Sequence, residues 1–159
     1  MLVVQSVSAD LFPDSGPTVS GSKARLRFGR AAAPRNAPLP VKRAIWAANQ
    51  LRHKPYRYGG GHKSFQDRGY DCSGTISYVL GAAGLINAPL SSTEFRRYGE
   101  PGPGKWITIY AREGHTFAVI AGLRLDTTPF ERYRGRWAPR WYTAYRPPRG
   151  FEARHPVGL

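Results

Sequence analysis

The sequence predicts an α+β domain in which helices pack on an antiparallel sheet. Three observations predict it: apolar residues at helical spacing in the first half, alternating apolar residues in the second half, and Gly/Pro clusters between the segments. At 159 residues with 41% hydrophobic content, the chain is long enough to bury one hydrophobic core and too short for two full domains. We therefore expect one domain over residues 41–159, preceded by a tail over residues 1–40.

The tail is predicted to be a flexible basic linker. Residues 1–40 contain five prolines among Ser, Gly, Ala and Arg, without a helical or alternating apolar period. The opening apolar run, residues 1–4, is shorter than the core of a signal peptide, which needs about 7 to 15 residues. No apolar window approaches the ~18 residues of a membrane span. The sequence therefore carries no clear export signal and predicts no membrane span.

Two of three predicted helices have clear starting signals. Apolar residues recur at helical spacing over 41–51, directly after Pro40, which favours a first core helix there. Ser91 followed by Glu94 matches a capping box and predicts a short third helix over 91–98.

The helix between them carries the single cysteine. Apolar spacing predicts a helix from Cys72 to Ala83, with Asp71 able to cap its start and Gly84 able to end it. Before this helix, Pro55 and a glycine triplet surround two tyrosines, so this stretch is predicted to be a loop that presents aromatic rings. Cys72 therefore lies in the first turn of a helix.

The remainder of the chain has the pattern of a sheet. Pro and Gly at 101–104 end the helical part, and residues 106–110 alternate large apolar with smaller side chains. Residues 115–121 and 123–127 then predict a hairpin that turns at Gly122.

Cys72 is the candidate nucleophile. A helix N-terminus stabilises a thiolate, and its N–H groups can also bind an oxyanion formed at a carbonyl. Gly74 is expected to leave room for a substrate. A packed, inert thiol is the alternative interpretation. Because the chain has one cysteine, an intrachain disulfide and a multi-cysteine metal site are excluded.

His115 is the candidate base that would exchange a proton with Cys72. It follows Gly114 at the start of a predicted strand, which would hold the ring rigidly. The other histidines have less rigid surroundings: His53 lies at a helix end, His62 in a Gly-rich loop and His155 in the terminal tail.

Asp126 is the candidate residue that orients the imidazole. If Ala121 and Gly122 form a two-residue turn, Phe117 pairs with Asp126, and Asp126 then shares a sheet face with His115. A slip of one residue would place Asp126 on the other face.

Together these motifs resemble the NlpC-type peptidoglycan endopeptidases of the papain-like superfamily. Pro-Tyr-Arg-Tyr-Gly-Gly at 55–60 resembles the family's aromatic-Gly-Gly loop, and Asp-Cys-Ser-Gly at 71–74 resembles its nucleophile motif. Gly114 and His115 opening an apolar strand resemble its base motif, in the family's order. The resemblance covers residues 41–127.

The resemblance implies a papain-like fold, no metal and no cofactor, and cysteine peptidase activity through an acyl-enzyme. The implied substrates are bacterial peptidoglycan stem peptides, commonly cut between D-glutamate and a diamino acid, which implies a periplasmic, extracellular or cell-wall location. It also assigns Tyr56, Asp71 and Ser73 to the substrate pocket; their other interpretations are a ring under the loop and two helix caps. In the family the third polar residue is often His, Asn or Gln, so Asp126 departs from that pattern.

The net charge of +14 makes polyanions plausible partners, and we favour anionic cell-wall polymers. A papain-like amidase or acyltransferase acting on another substrate remains an alternative. A non-enzymatic nucleic-acid module is the alternative of another class, because arginines alternate with aromatic rings over 130–142. The other interpretation of that segment is that its rings cover a sheet edge while its arginines are solvated, and we expect no nucleic-acid partner. The bond cleaved, the oligomeric state and the export route stay open.

Overall fold

The computed structural model describes residues 12–128 and 140–159, and within them the chain is α+β, as predicted. The helices are α1 (Leu39–Gln50), α2 (Cys72–Ala82) and α3 (Ser92–Phe95), and a 3₁₀ turn at Leu51–His53 extends α1. The main sheet contains β4 (Glu100–Pro101), β5 (Ile107–Arg112), β6 (His115–Ile120), β7 (Leu123–Leu125), β8 (Trp141–Tyr142) and β9 (Glu152–His155). Its strand order is β4-β9-β5-β6-β7-β8, with antiparallel neighbours.

A smaller sheet occupies the segment before α1. It contains β1 (Thr18–Val19), β2 (Arg25–Arg27) and β3 (Arg30–Pro34) in the order β1-β3-β2. β3 pairs with β1 in parallel and with β2 antiparallel, and it packs on α1.

This small sheet shows that the prediction of a flexible linker over residues 1–40 is wrong for residues 12–40. Ala31 and Ala33 are fully buried. The Asn49 side chain accepts a hydrogen bond from the N–H of Ala31 and donates one to the carbonyl of Ala31. The Trp46 indole N–H also donates to the Pro17 carbonyl. Strands of two to five residues carry too little alternation to predict, and small alanines pack closely without an obvious apolar pattern. Residues 1–11 lie outside the described part of the chain.

The helices agree with the expected starting signals. Asp71 caps α2 by accepting a hydrogen bond from the Gly74 N–H, and Ser91 with Glu94 forms the full capping box of α3. α1 begins at Leu39, two residues earlier than predicted, because Pro40 fits within a first helical turn. α3 ends at Phe95 and not near Tyr98, since the chain then continues as turns.

The predicted hairpin has the predicted register. β6 and β7 pair Ala118 with Leu125 and Ile120 with Leu123, and continuing this register places Phe117 opposite Asp126. Both turn residues, Ala121 and Gly122, have positive φ angles, as a two-residue turn between twisted strands requires. The turn therefore determines which face of the sheet carries Asp126.

A buried arginine joins the sheet to the loop before α2. Arg140, 1% exposed, donates to the carbonyls of Leu51, Lys54, Pro55 and Tyr70; it also donates to the Thr75 hydroxyl in α2. Burial lowers the pKa of Arg140 to about 10, which leaves the guanidinium charged at neutral pH. One side chain thus holds together the end of α1, the following loop and α2.

We predict that Arg140→Met lowers the free energy of unfolding by about 3 kcal/mol or more, because four backbone carbonyls in buried or partly buried surroundings lose their donor. Urea denaturation of both proteins measures the loss. The matched control is Arg149→Met, which removes an exposed arginine and should change stability by about 0.5 kcal/mol or less. Equal losses in the two variants would contradict a structural role for Arg140.

Candidate active site

Cys72 is the first residue of α2 and is buried, with 8% of its surface exposed. α2 packs against β6, the strand that begins at His115. The thiol lies at the positive end of the dipole of an eleven-residue helix. Cys72 therefore lies in the first turn of a helix, as the sequence predicts.

A cavity of about 320 Å³ opens beside Cys72. This volume is at the lower end of the range for ligand sites, about 300 to 1,000 Å³. The lining brings together the sequence-predicted nucleophile and all three predicted substrate residues. Its lining residues are Tyr56, Tyr58, Gly59, His62, Asp71, Cys72, Ser73, Ser91, Ser92 and Gly114.

The carboxylate of Asp71 organises one wall of this cavity. Its Oδ1 accepts from the Gly74 N–H at 2.8 Å, and its Oδ2 accepts from the Gly59 N–H at 3.0 Å. Asp71 therefore fixes the aromatic loop to the start of α2 in addition to capping the helix.

Gly74 has a different role from the predicted one. A Cβ atom on Gly74 would overlap the carbonyl oxygen of Gly60, so the missing side chain lets the loop backbone lie against α2. The expectation that Gly74 leaves room for substrate is wrong, because the loop occupies that space.

His62 is a site residue that sequence reasoning set aside. Its Nε2 lies 2.8 Å from Asp71 Oδ1 and 3.0 Å from the Ser73 hydroxyl, and the ring lines the cavity beside Cys72. The Gly-rich loop was expected to be too mobile to position a histidine. The contacts with Asp71 and Ser73 hold the ring in place. The sequence feature that could have identified His62 is its short distance along the chain from the Asp-Cys-Ser motif.

His115 and Asp126 form a second group next to the cavity. The His115 Nε2 lies 3.2 Å from Asp126 Oδ1, and both residues are buried. Neither lines the cavity directly; Gly114, the neighbour of His115, does. The predicted pairing of His115 with Asp126 is therefore present. An ionised carboxylate only accepts hydrogen bonds, so the Nε2 of His115 carries the proton in this contact. Arg146 Nη1 lies 3.4 Å from the same nitrogen, but its two hydrogens are donated to Asp126 and Thr128.

Asp126 is surrounded by positive groups. Arg146 Nη1 lies 2.7 Å from Asp126 Oδ2, and the Nε of Arg124 lies 3.5 Å from the same oxygen without a hydrogen bond. Burial raises the pKa of Asp126, but hydrogen bonds from His115 and Arg146 lower it more, so this pKa lies well below its usual range. Asp126 is therefore charged at neutral pH.

Arg146 was not identified from the sequence. Its guanidinium lies over the rings of Phe117 and Phe151, at 4.9 and 5.3 Å from their centroids, and it also donates to the Thr128 hydroxyl. The Thr128 hydroxyl and N–H in turn donate to Asp126. Arg146 belongs to no motif and lies 20 residues from Asp126 along the chain, so only the fold reveals this contact.

The proposed nucleic-acid segment, 130–142, is only partly described, since residues 129–139 lie outside the described ranges. Arg140 and Trp141 are both buried, and the Trp141 indole donates to Asn49. The cation of Arg124 lies over the ring of Tyr142. Arg140 is thus neither solvated nor available to a polyanion, contrary to both sequence interpretations of this segment.

Over residues 12–128 and 140–159, no helix is long and apolar enough to cross a bilayer. In the same ranges, no group of three or more His, Cys, Asp or Glu side chains is placed to hold a metal ion. In comparisons with known proteins, no family model and no curated protein sequence matches the chain.

We predict that Arg146→Gln lowers stability at neutral pH by about 2 kcal/mol, because the buried Asp126 loses its strongest charged donor. A carboxyl whose pKa is depressed by folding contributes stability above its unfolded pKa, about 3.9, and loses it as pH falls through the folded value. The difference between wild type and variant should therefore shrink below about pH 4.

The measurement is urea denaturation across the pH range, with Arg149→Gln as the matched loss of an exposed positive charge. A difference between wild type and Arg146→Gln that is independent of pH would show that Arg146 stabilises the fold without acting through Asp126.

Proposed function

We propose that this protein is a cysteine endopeptidase of the papain-like NlpC type that hydrolyses amide bonds in peptidoglycan stem peptides. The observation that carries the proposal is that Cys72, at the N-terminus of α2, shares a cavity with Gly114, whose neighbour His115 is hydrogen-bonded to Asp126. The motifs at 55–60, 71–74 and 114–115, which stand in the order of that family, support the proposal.

The proton transfer follows from the contacts of His115. Because the Nε2–H is directed to Asp126, the other ring nitrogen, Nδ1, is the atom that exchanges a proton with Cys72 in this proposal. Asp126 orients the ring and stabilises the imidazolium, and Arg146 offsets part of the carboxylate charge. An aspartate balanced by an arginine can thus serve where the family often has a neutral or basic residue.

The start of α2 offers donors for an oxyanion. The N–H of Gly74 is used by the Asp71 carboxylate and that of Thr75 by the Asp71 carbonyl. Within the described residues, no hydrogen-bond acceptor is found for the N–H groups of Cys72 and Ser73. These two groups are the proposed donors to the negative oxygen that forms during attack.

The proposed reaction starts with attack of the Cys72 thiolate on the scissile carbonyl, which forms a tetrahedral oxyanion. The imidazolium of His115 then protonates the leaving amine as the C–N bond breaks, giving a thioester. His115 next removes a proton from water, which attacks the thioester and releases the carboxylic acid product and the thiol.

The cavity lining supports a polar peptide substrate. Asp71, Ser73 and His62 provide a carboxylate, a hydroxyl and an imidazole on one wall, and Tyr56 and Tyr58 add rings. The net charge of +14 favours attraction to anionic cell-wall polymers, which would raise the local substrate concentration. A substrate in the wall implies that the protein acts in the periplasm or outside the cell.

The experiment that tests the proposal is mass spectrometry of purified muropeptides incubated with wild type and with Cys72→Ala. We expect a cleaved stem peptide with wild type and a rate lower by about 10³-fold or more in the variant, because the nucleophile is lost. Thermal unfolding of both proteins serves as the folding control. An unchanged rate in Cys72→Ala would reject the mechanism, and unchanged muropeptides with an alkylatable Cys72 would favour another amide or acyl substrate.

A second experiment distinguishes the two histidines near Cys72, since His62 is paired with Asp71 much as His115 is with Asp126. We expect His115→Ala to lower kcat by about 10²-fold or more, and His62→Ala mainly to raise KM, because His62 is a binding residue here. His53→Ala, an exposed histidine outside this cavity, is the control. If His62→Ala abolished kcat and His115→Ala did not, His62 would be the base.

A further inference from the structure

A two-residue turn between β2 and β3 carries an unusual residue at its tip. Phe28 is 98% exposed and has a φ angle of +50°, and Gly29 beside it has a φ angle of +75°. Two-residue turns of this kind favour Asn, Asp or Gly at the first position, and a bulky residue with positive φ is strained. The aromatic ring of Phe28 is therefore exposed to solvent, and its backbone has a conformation that Asn, Asp or Gly would adopt with less strain.

One face of this hairpin is strongly cationic. The register pairs Arg27 with Arg30 and Arg25 with Ala32, so the three exposed arginine side chains share one face. Like charges placed directly opposite destabilise a strand pair. Among the described residues, no carboxylate forms an ion pair with any of these three arginines.

The opposite face of the hairpin is anchored to the domain. Ala31 is fully buried, Leu26 packs against the core, and the Ala24 N–H donates to the Ala121 carbonyl at 2.9 Å. Ala121 lies at the far end of β6 from His115, about 20 Å away for six extended residues. The hairpin is thus anchored to the domain at the end of β6 that lies away from the candidate active site.

We propose that the β2–β3 hairpin binds anionic lipid surfaces, with Phe28 inserting between headgroups while Arg25, Arg27 and Arg30 contact the lipid phosphates. Single exposed apolar residues are common on protein surfaces and need no explanation alone. Here the ring stands at an apex, in a strained backbone conformation, beside three arginines that form no ion pair with a carboxylate of residues 12–128 or 140–159. An aromatic tip surrounded by arginines is complementary to a layer that is negative at its surface and apolar beneath.

A charged polymer explains these features less well. Arginines alone suffice to bind a polyanion, and sites for single-stranded nucleic acid combine several stacking rings along a positively charged groove, whereas this hairpin has one ring at an apex. Phe28 contacts almost nothing, since 98% of its surface is exposed, which suits penetration into a soft layer. The proposal is independent of the proposed catalytic activity because the hairpin and the cavity lie at different ends of β6.

The test is co-sedimentation of the full chain with vesicles of phosphatidylcholine alone or of equal parts phosphatidylcholine and phosphatidylglycerol. We expect binding to the anionic vesicles only, a roughly tenfold loss for Phe28→Asn, and near wild-type binding for Phe28→Leu, which keeps an apolar tip. Asn-Gly suits this turn better than Phe-Gly, so Phe28→Asn should unfold at a higher urea concentration than wild type. Weaker binding therefore cannot arise from misfolding.

Charge is tested with a matched pair. Arg27→Gln should weaken binding to anionic vesicles severalfold, whereas Arg149→Gln, which removes an exposed charge near the other end of the sheet, should not. Anionic-vesicle binding that is equal in wild type and Phe28→Asn would overturn the proposal. Stronger Phe28-independent binding to soluble polyphosphate would instead identify the hairpin as a polymer-binding surface.

Discussion

The buried guanidinium of Arg140 is the interaction on which the geometry of the candidate site depends. It donates to carbonyls at the end of α1, in the following loop and at Tyr70, and to Thr75 in α2. The loop it holds is the one that carries the tyrosines of the cavity. An irregular loop has few backbone partners of its own, so a side chain with several donors in a fixed plane is well suited to order it.

Around the cavity, charge is distributed in two separate groups. Asp71 is engaged by loop and helix N–H groups and by His62, while Asp126 is engaged by His115, Arg146 and Thr128. Each buried carboxylate is thus stabilised by several donors, as the desolvation of a charge requires. The proposed chemistry takes place between these two groups. Asp71 of the first group precedes Cys72 and lines the cavity, and Gly114, which also lines it, precedes His115 of the second group.

Local signals in the sequence were reliable where one short stretch specifies its own structure. The cap at Asp71, the capping box at Ser91, and the turn at Gly122 involve residues within a few positions of one another. The turn also set the register that places Asp126 on the face of His115. By contrast, the strands before α1 gave no periodic signal, because they are short and their buried side chains are alanines.

By itself, the sequence determined the α+β class, the position of Cys72 in the first turn of a helix, and the pairing of His115 with Asp126. These depend on periodicity, caps and turn chemistry, which act over a few residues. Only the tertiary structure decided that Arg140 is interior, that His62 lies beside Cys72 and that Arg146 balances Asp126. Those contacts join side chains that are distant in sequence or that lie on an irregular loop. They form because a buried charge needs compensating partners, and which groups are buried together is known only once the chain has folded.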